Sequence, residues 1–140
     1  MFRLIFACII GYTLGRERKR HAKSGGSRTM AIVCMTACLI AILCQRIEAV
    51  GLATTFNFSR LLAYTIAGIS FIGNGIIQKY DGDVAGLTTA ASLLGCVVLG
   101  FCIGLTFYWY ALMGTVLLYI LLDIKYWNIM RDEDDIRRSL

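Results

Sequence analysis

The chain has 140 residues, 58% of them hydrophobic and 16% charged, with no proline and a formal net charge of +5. With a mean hydropathy of +0.69, it is too apolar and too thinly charged for an ordinary water-soluble domain. A nucleic-acid partner is excluded as well, because the positive charge is concentrated where membrane topology requires it and the tail run 132–135 is acidic.

Charged residues fall in blocks that leave uncharged runs at 4–15, 29–45, 61–78 and 84–122. A spanning helix needs roughly 20 apolar residues to cross about 30 Å of hydrocarbon. The first run is short, since a helix over 1–15 covers only about 22 Å. A signal peptide carries its basic residues before the apolar stretch, whereas here they follow it, so the segment reads as a retained span, short as it stands or begun upstream. The last run, about 39 residues or nearly 60 Å as one helix, must fold back once. Phe107, Tyr108, Trp109 and Tyr110 place the reversal at 106–110, as an aromatic cluster of the headgroup level.

These runs predict an all-α, polytopic transmembrane helix bundle of about five spans in one domain, 1–127. The spans are expected at 2–15, 29–46, 60–78, 86–105 and 109–124. The charge-dense tail 128–140 has no apolar face and is expected to be frayed or disordered. Orientation follows from basic residues in short loops. Arg16, Arg18, Lys19, Arg20, Lys23 and Arg28 lie between spans one and two, only Arg46 and Arg60 between two and three, and Lys125, Arg131, Arg137 and Arg138 after the last. The N-terminus is therefore outside and the C-terminus cytoplasmic.

In lipid, helices associate through small residues and interhelical hydrogen bonds. On the fourth span Thr88, Ser92, Cys96, Gly100 and Gly104 recur every four residues, and Gly11 and Gly15 form a second small pair on the first span. Helices should pack on these stripes, within one chain or across a homodimer. The third span carries Ser70, Asn74 and Gln78 at the same spacing, with Asn74 between Gly73 and Gly75, where the backbone can bend. Asn74 either bonds another helix or meets a ligand. Asp81 and Asp83 flank Gly82 and read as a hairpin turn, a hard-cation site being the weaker alternative.

The six cysteines, Cys8, Cys34, Cys38, Cys44, Cys96 and Cys102, all lie in apolar runs and read as small packing residues. Cys34 and Cys38 lack the nearby ligands of a zinc site. The single His21 has no nucleophile beside it and no phosphate-cradling glycine loop is present, so neither an enzyme nor a cofactor is expected.

Four segments in order resemble the MgtC/SapB family of bacterial membrane proteins: Gly11, Gly15, Arg16, Glu17 and Arg18; Gly26, Ser27, Arg28 and Thr29; the run 68–75, GISFIGNG; and the run 86–93, GLTTAASL. The chain departs from that pattern at Ser70, Asn74, Ala85 and Leu94, where the family has Gly, Ala or Gly, a basic residue and Trp. Longer family members carry a cytoplasmic C-terminal domain beyond the region matched here. The resemblance implies a plasma-membrane protein linked to growth at low magnesium and to virulence. It implies a modulator of other membrane machines, such as ATP synthase or cation transporters, rather than a pump.

Under the expected topology Glu17, Arg28, Thr29, Ser70, Asn74, Gln78, Thr88, Thr89 and Ser92 gather toward the cytoplasmic side. The start of the fourth helix, with Thr88, Thr89 and Arg28, would suit an anion; Glu17, Asp81 and Asp83 would suit a cation; or these residues cap and join helices. The expected function is non-enzymatic regulation by a homodimer, against a small cation transporter or channel as rival and a lipid-binding basic loop as a minor third.

Overall fold

A computed structural model describes residues 1–20, 26–50, 58–80 and 83–138. Five helices, α1 (Phe2–Arg20), α2 (Ser27–Ala49), α3 (Phe58–Ile76), α4 (Leu87–Gly104) and α5 (Tyr108–Arg138), are joined by one hairpin of β1 (Gln78–Tyr80) and β2 (Asp83–Ala85) between α3 and α4. His21, Lys23 and Asp81 lie outside the described residues.

Each helix sits where an uncharged run predicts one, and the ends differ for local reasons. α1 continues to Arg20 because Arg16, Glu17, Arg18, Lys19 and Arg20 are all strong helix formers with no glycine among them. The helix is thus about 28 Å long, though the added residues are all charged and its apolar part is unchanged. α3 stops at Ile76, just past Gly73 and Gly75, so Gln78 does not share a helical face with Ser70 and Asn74; it pairs with Ala85 across the hairpin. Asp83 likewise belongs to β2, opposite Tyr80, rather than to the start of α4. The tail is a correction: α5 runs unbroken to Arg138, there being neither glycine nor proline after Gly114 to stop it.

Two tight connections shape the bundle. Gly86 opens α4 with φ +91, and a Cβ there would overlap the Ile76 carbonyl oxygen. Gly86→Ala is therefore expected to cost about 1–2 kcal/mol from the left-handed conformation alone, and more from the overlap, read as a lower midpoint in detergent unfolding. Between α4 and α5, Thr106 takes φ 70. Its N–H donates to the Ile103 carbonyl at 3.1 Å and that of Phe107 to Cys102 at 2.8 Å, the Schellman pattern that glycine usually occupies. The predicted reversal is thus present.

α2 is the central helix. α1 runs antiparallel to it, with Gly11 against Met30, Ala31 and Cys34 and Gly15 against Ser27 and Met30. α4 runs parallel to it, with Gly100 against Cys34 and Ala37 and Gly104 against Ala41 and Cys38. Both predicted glycine pairs are therefore used within the chain, on the same helix. α3 packs antiparallel on α4 through Gly73 and Ala90, and α5 antiparallel on α4 through Leu118 at Gly95 and Leu99 at Gly114.

The core between α1, α2 and α4 is rich in small side chains, including Cys34, Ala37, Cys38, Ala41 and Cys96. Large apolar side chains instead cover the outside: Ile5, Ile9, Ile32, Leu39, Leu43, Phe71, Val98, Met113, Leu117 and Leu121 are exposed. This reverses the arrangement of a water-soluble bundle and is that of helices packed closely in lipid. α2 and α4 are long and apolar enough to cross a membrane, while the apolar part of α5, Tyr108–Asp123, is shorter.

Candidate functional site

The end carrying the β-hairpin, here the hairpin end, brings together the last turn of α1, the first turn of α2 and the first two turns of α4. All five buried polar or charged side chains among the described residues belong to these turns: Glu17 (4% exposed), Arg18 (2%), Ser27 (9%), Thr89 (2%) and Ser92 (3%). Helix register sets their levels. Gly15 rests on Ser27, and Cys96 Sγ lies 3.5 Å from Met30 Sδ. Ser27 and Ser92 are each about one turn nearer the hairpin end than Met30 and Cys96, and Arg18 and Thr89 lie about one turn further still.

Adjacent on the chain, Glu17 and Arg18 form a buried ion pair, Arg18 Nε donating to Glu17 Oε2 at 3.1 Å. Arg18 Nη1 is buried and has no hydrogen-bond partner among the described residues. Taking such a pair out of water is costly, and one guanidinium edge left unmatched adds to that cost. Ser92 Oγ donates to the Thr89 carbonyl at 2.9 Å, so its hydroxyl serves its own helix. Neither Gly26, which precedes α2, nor Gly86, which precedes α4, offers a side-chain cap, and the two parallel helices direct their positive dipole ends the same way.

The other predicted site residues do not join this layer. Arg28 and Thr29 are exposed on the outer side of the first turn of α2, and Thr88 is half-buried. Ser70 and Asn74 face a separate groove of about 330 Å³ between α3 and α4, walled by Ile69, Leu87, Ala91 and Leu94. The Ser70 hydroxyl donates to the Ile66 carbonyl at 2.9 Å within its helix. Gln78 is exposed in β1. No group of three or more metal-ligating side chains occurs among the described residues.

Sequence reasoning missed two features. Arg18 counts there only as one of the basic residues that set orientation; its burial follows from sharing a helix face with Leu14 and Gly15. At the far end, Arg3 Nη1 donates to the Gly104 carbonyl at 3.0 Å and to Gln45 Oε1 at 3.2 Å, placing a cation at the negative end of α4 and tying α1, α2 and α4 together. The one signal for it was a lone charge ahead of the first apolar run. A groove of about 530 Å³ lies beside it, lined by Phe2, Arg3, Gln45, Arg46 and Tyr108 among others.

The sequence model of the MgtC family matches residues 4–128. Among curated proteins, SapB of Bacillus subtilis is 31% identical over 137 residues, 90% of this chain and 55% of the relative. YhiD of Escherichia coli strain K12, named provisionally as a magnesium transporter, is 30% identical over 131 residues, 89% of this chain and 59% of its own length. MgtC of Salmonella typhimurium LT2 is 30% identical over 120 residues, 84% of this chain and 48% of the relative. The chain thus spans about half the length of the curated relatives it matches. No solved structure matches it.

Proposed function

This chain belongs to the MgtC family of membrane proteins, and from that premise we propose that it is a multi-pass, non-enzymatic protein of the bacterial plasma membrane that modulates ion homeostasis or other membrane machines. The reading includes magnesium adaptation and a virulence-type role, with ATP synthase or a cation transporter as the kind of partner. The hairpin end is cytoplasmic and the N-terminus outside. Arg16, Arg18, Arg28 and Lys79 at the hairpin end, against Arg3, Arg46 and Arg60 at the other, support that orientation.

One observation carries the choice of modulator over conductor. Between the two ends, the interior of α1, α2 and α4 is closed by glycine contacts and filled by Cys34, Ala37, Cys38, Cys96 and Val97. A coupled transporter generally places ionisable or polar groups at mid-membrane depth, and the described buried polar residues all lie at the hairpin end. Self-association, part of the same proposal, falls to faces other than the two glycine stripes, which α2 already covers.

The rival is cation transport, to which the name of the Escherichia coli relative points, and which would use the α3–α4 groove at Ser70 and Asn74. Reconstitution in liposomes decides between them, following entry of magnesium, potassium and protons beside empty liposomes and an Asn74→Leu/Thr88→Val variant. No flux above the empty vesicles is expected. Flux by the unmodified protein that disappears in the variant would make the chain a transporter and end the modulator reading.

A further inference from the structure

We propose that the groove beside Arg3, at the end opposite the hairpin, binds an oxyanion of the phosphate class between Arg3 and Arg46, and that its source is the headgroup of an anionic phospholipid. The inference goes beyond the modulator reading and does not rest on it, since a transporter could hold the same lipid.

The groove measures about 530 Å³, within the range of roughly 300–1,000 Å³ typical of small-molecule sites. All the residues that line it belong to described segments. α2 supplies Ile42, Gln45 and Arg46, which share a helix face at spacings of three and four. α1 supplies Phe2 and Arg3, and α5 supplies its first residue, Tyr108. Ring contacts fix the aromatic side of the groove: Phe2 stacks on Phe6 with centroids 6.3 Å apart, and Phe6 meets Tyr108 edge-on, also at 6.3 Å.

Charge decides the kind of ligand. Two arginines line the groove and no carboxylate does; Glu48, two residues from Arg46, is not among its walls. The carboxyl ends of α2 and α4 lie here and carry about half a negative charge each, while the start of α5 brings about half a positive one. Two full guanidinium charges outweigh that balance. Arg3 is also held in place, its Nη1 donating to the Gly104 carbonyl and to Gln45 Oε1. Its other donors have no partner, and neither arginine has a carboxylate partner, among the described residues. The open part of the Arg3 fork is thus oriented before a ligand arrives, in the geometry that phosphate oxygens accept.

Depth identifies the source. Phe107, Trp109 and Tyr110, beside Tyr108, are exposed and mark the level where aromatic side chains meet headgroups. About one turn deeper than Phe2 and Ile42, Ile5 and Leu39 are exposed apolar residues over which acyl chains can lie. A lipid phosphate in the groove has the arginines beside it and hydrocarbon beneath it.

The test places the full chain in phosphatidylcholine nanodiscs with a minor share of phosphatidylglycerol and reads the lipid retained on the released protein by native mass spectrometry. Phosphatidylglycerol is expected in excess over its share of the bilayer. Arg46→Gln should lower that excess about fivefold, the effect of one basic residue at an anionic surface, and Arg46→Glu should lower it further. Arg46 is exposed, so both variants should fold, which thermal melting checks; Arg3 is left intact because it also ties three helices together. Arg60→Gln, at the same end but outside the groove, should leave the excess unchanged. In pure phosphatidylcholine nanodiscs, calorimetry with inorganic phosphate, with chloride as the ionic-strength control, is the second arm. Saturable phosphate binding that Arg46→Glu abolishes, without a phosphatidylglycerol excess, keeps the anion site and overturns the lipid as its source. Neither excess nor phosphate binding, an excess untouched in a folded Arg46→Glu chain, or one that Arg60→Gln lowers equally, overturns the site itself.

Discussion

Gly100→Leu is expected to unfold the bundle rather than to separate two subunits. Gly100 sits against the Cys34 carbonyl and the Ala37 side chain, both on α2, so even a Cβ has no room and the obstacle is backbone that cannot turn aside. Overpacking by one or two methylenes commonly costs about 1–3 kcal/mol; a whole isobutyl group in this contact should exceed that range. Where packing is the main force between helices in lipid, nothing else compensates. The matched control is Gly68→Leu on α3, where no atom lies within 4 Å, and a shift of no more than about 0.5 kcal/mol is expected. SDS titration of the purified proteins in mild detergent gives the stabilities, and crosslinking gives the oligomeric state. A Gly100→Leu chain with unaltered stability but altered oligomeric state would place the stripe between subunits and refute the packing described above.

The second large effect is expected at Glu17. Removing one partner of a buried ion pair leaves the other charge uncompensated, at a cost of about 3–5 kcal/mol. Glu17→Ala should therefore lower stability by that order, with Arg18 as the stranded charge. Replacing both, as Glu17→Leu/Arg18→Met, should restore most of the loss, because buried pairs exchanged for apolar residues of similar volume are often neutral. The same titration reads both. A single variant as stable as the parent, or a double variant no better than the single, would show that the pair does not act as a buried unit.

Much of the architecture was legible in the uncharged runs because a bilayer imposes one constraint on every segment: a helix must be apolar over its length. The fold-back near Thr106, the small-residue stripes and the turn between Gln78 and Ala85 followed from composition and spacing. Partner assignment did not. The stripe at Gly100 and Gly104 and the pair at Gly11 and Gly15 look alike in sequence, and nothing local tells that both meet α2. The site was half legible for a related reason. Glu17, Thr89 and Ser92 were marked by their polarity, and they do lie in the buried layer. Arg18 was hidden by its company, since in a block of basic residues one buried guanidinium looks like the solvated ones around it. Arg28, Thr29 and Gln78 were included by proximity in sequence to the hairpin end, and their side chains turn outward.

The order in which the helices meet bears on how the chain is made. α1 and α2 are antiparallel neighbours and can pair as soon as both have left the ribosome. α3 comes next, yet its packing surface is on α4, which does not yet exist at that moment. The side of α2 that will receive Gly100 and Gly104 also stays uncovered throughout the synthesis of α3 and the hairpin. For that interval the nascent protein holds one helix without a neighbour and one open groove lined by Cys34, Ala37 and Ala41. α4 completes both at a stroke, and its last carbonyl then accepts a hydrogen bond from Arg3 in the first turn of α1. Assembly is in this sense sealed by its fourth element, and a chain interrupted just before Leu87 leaves two surfaces unfinished.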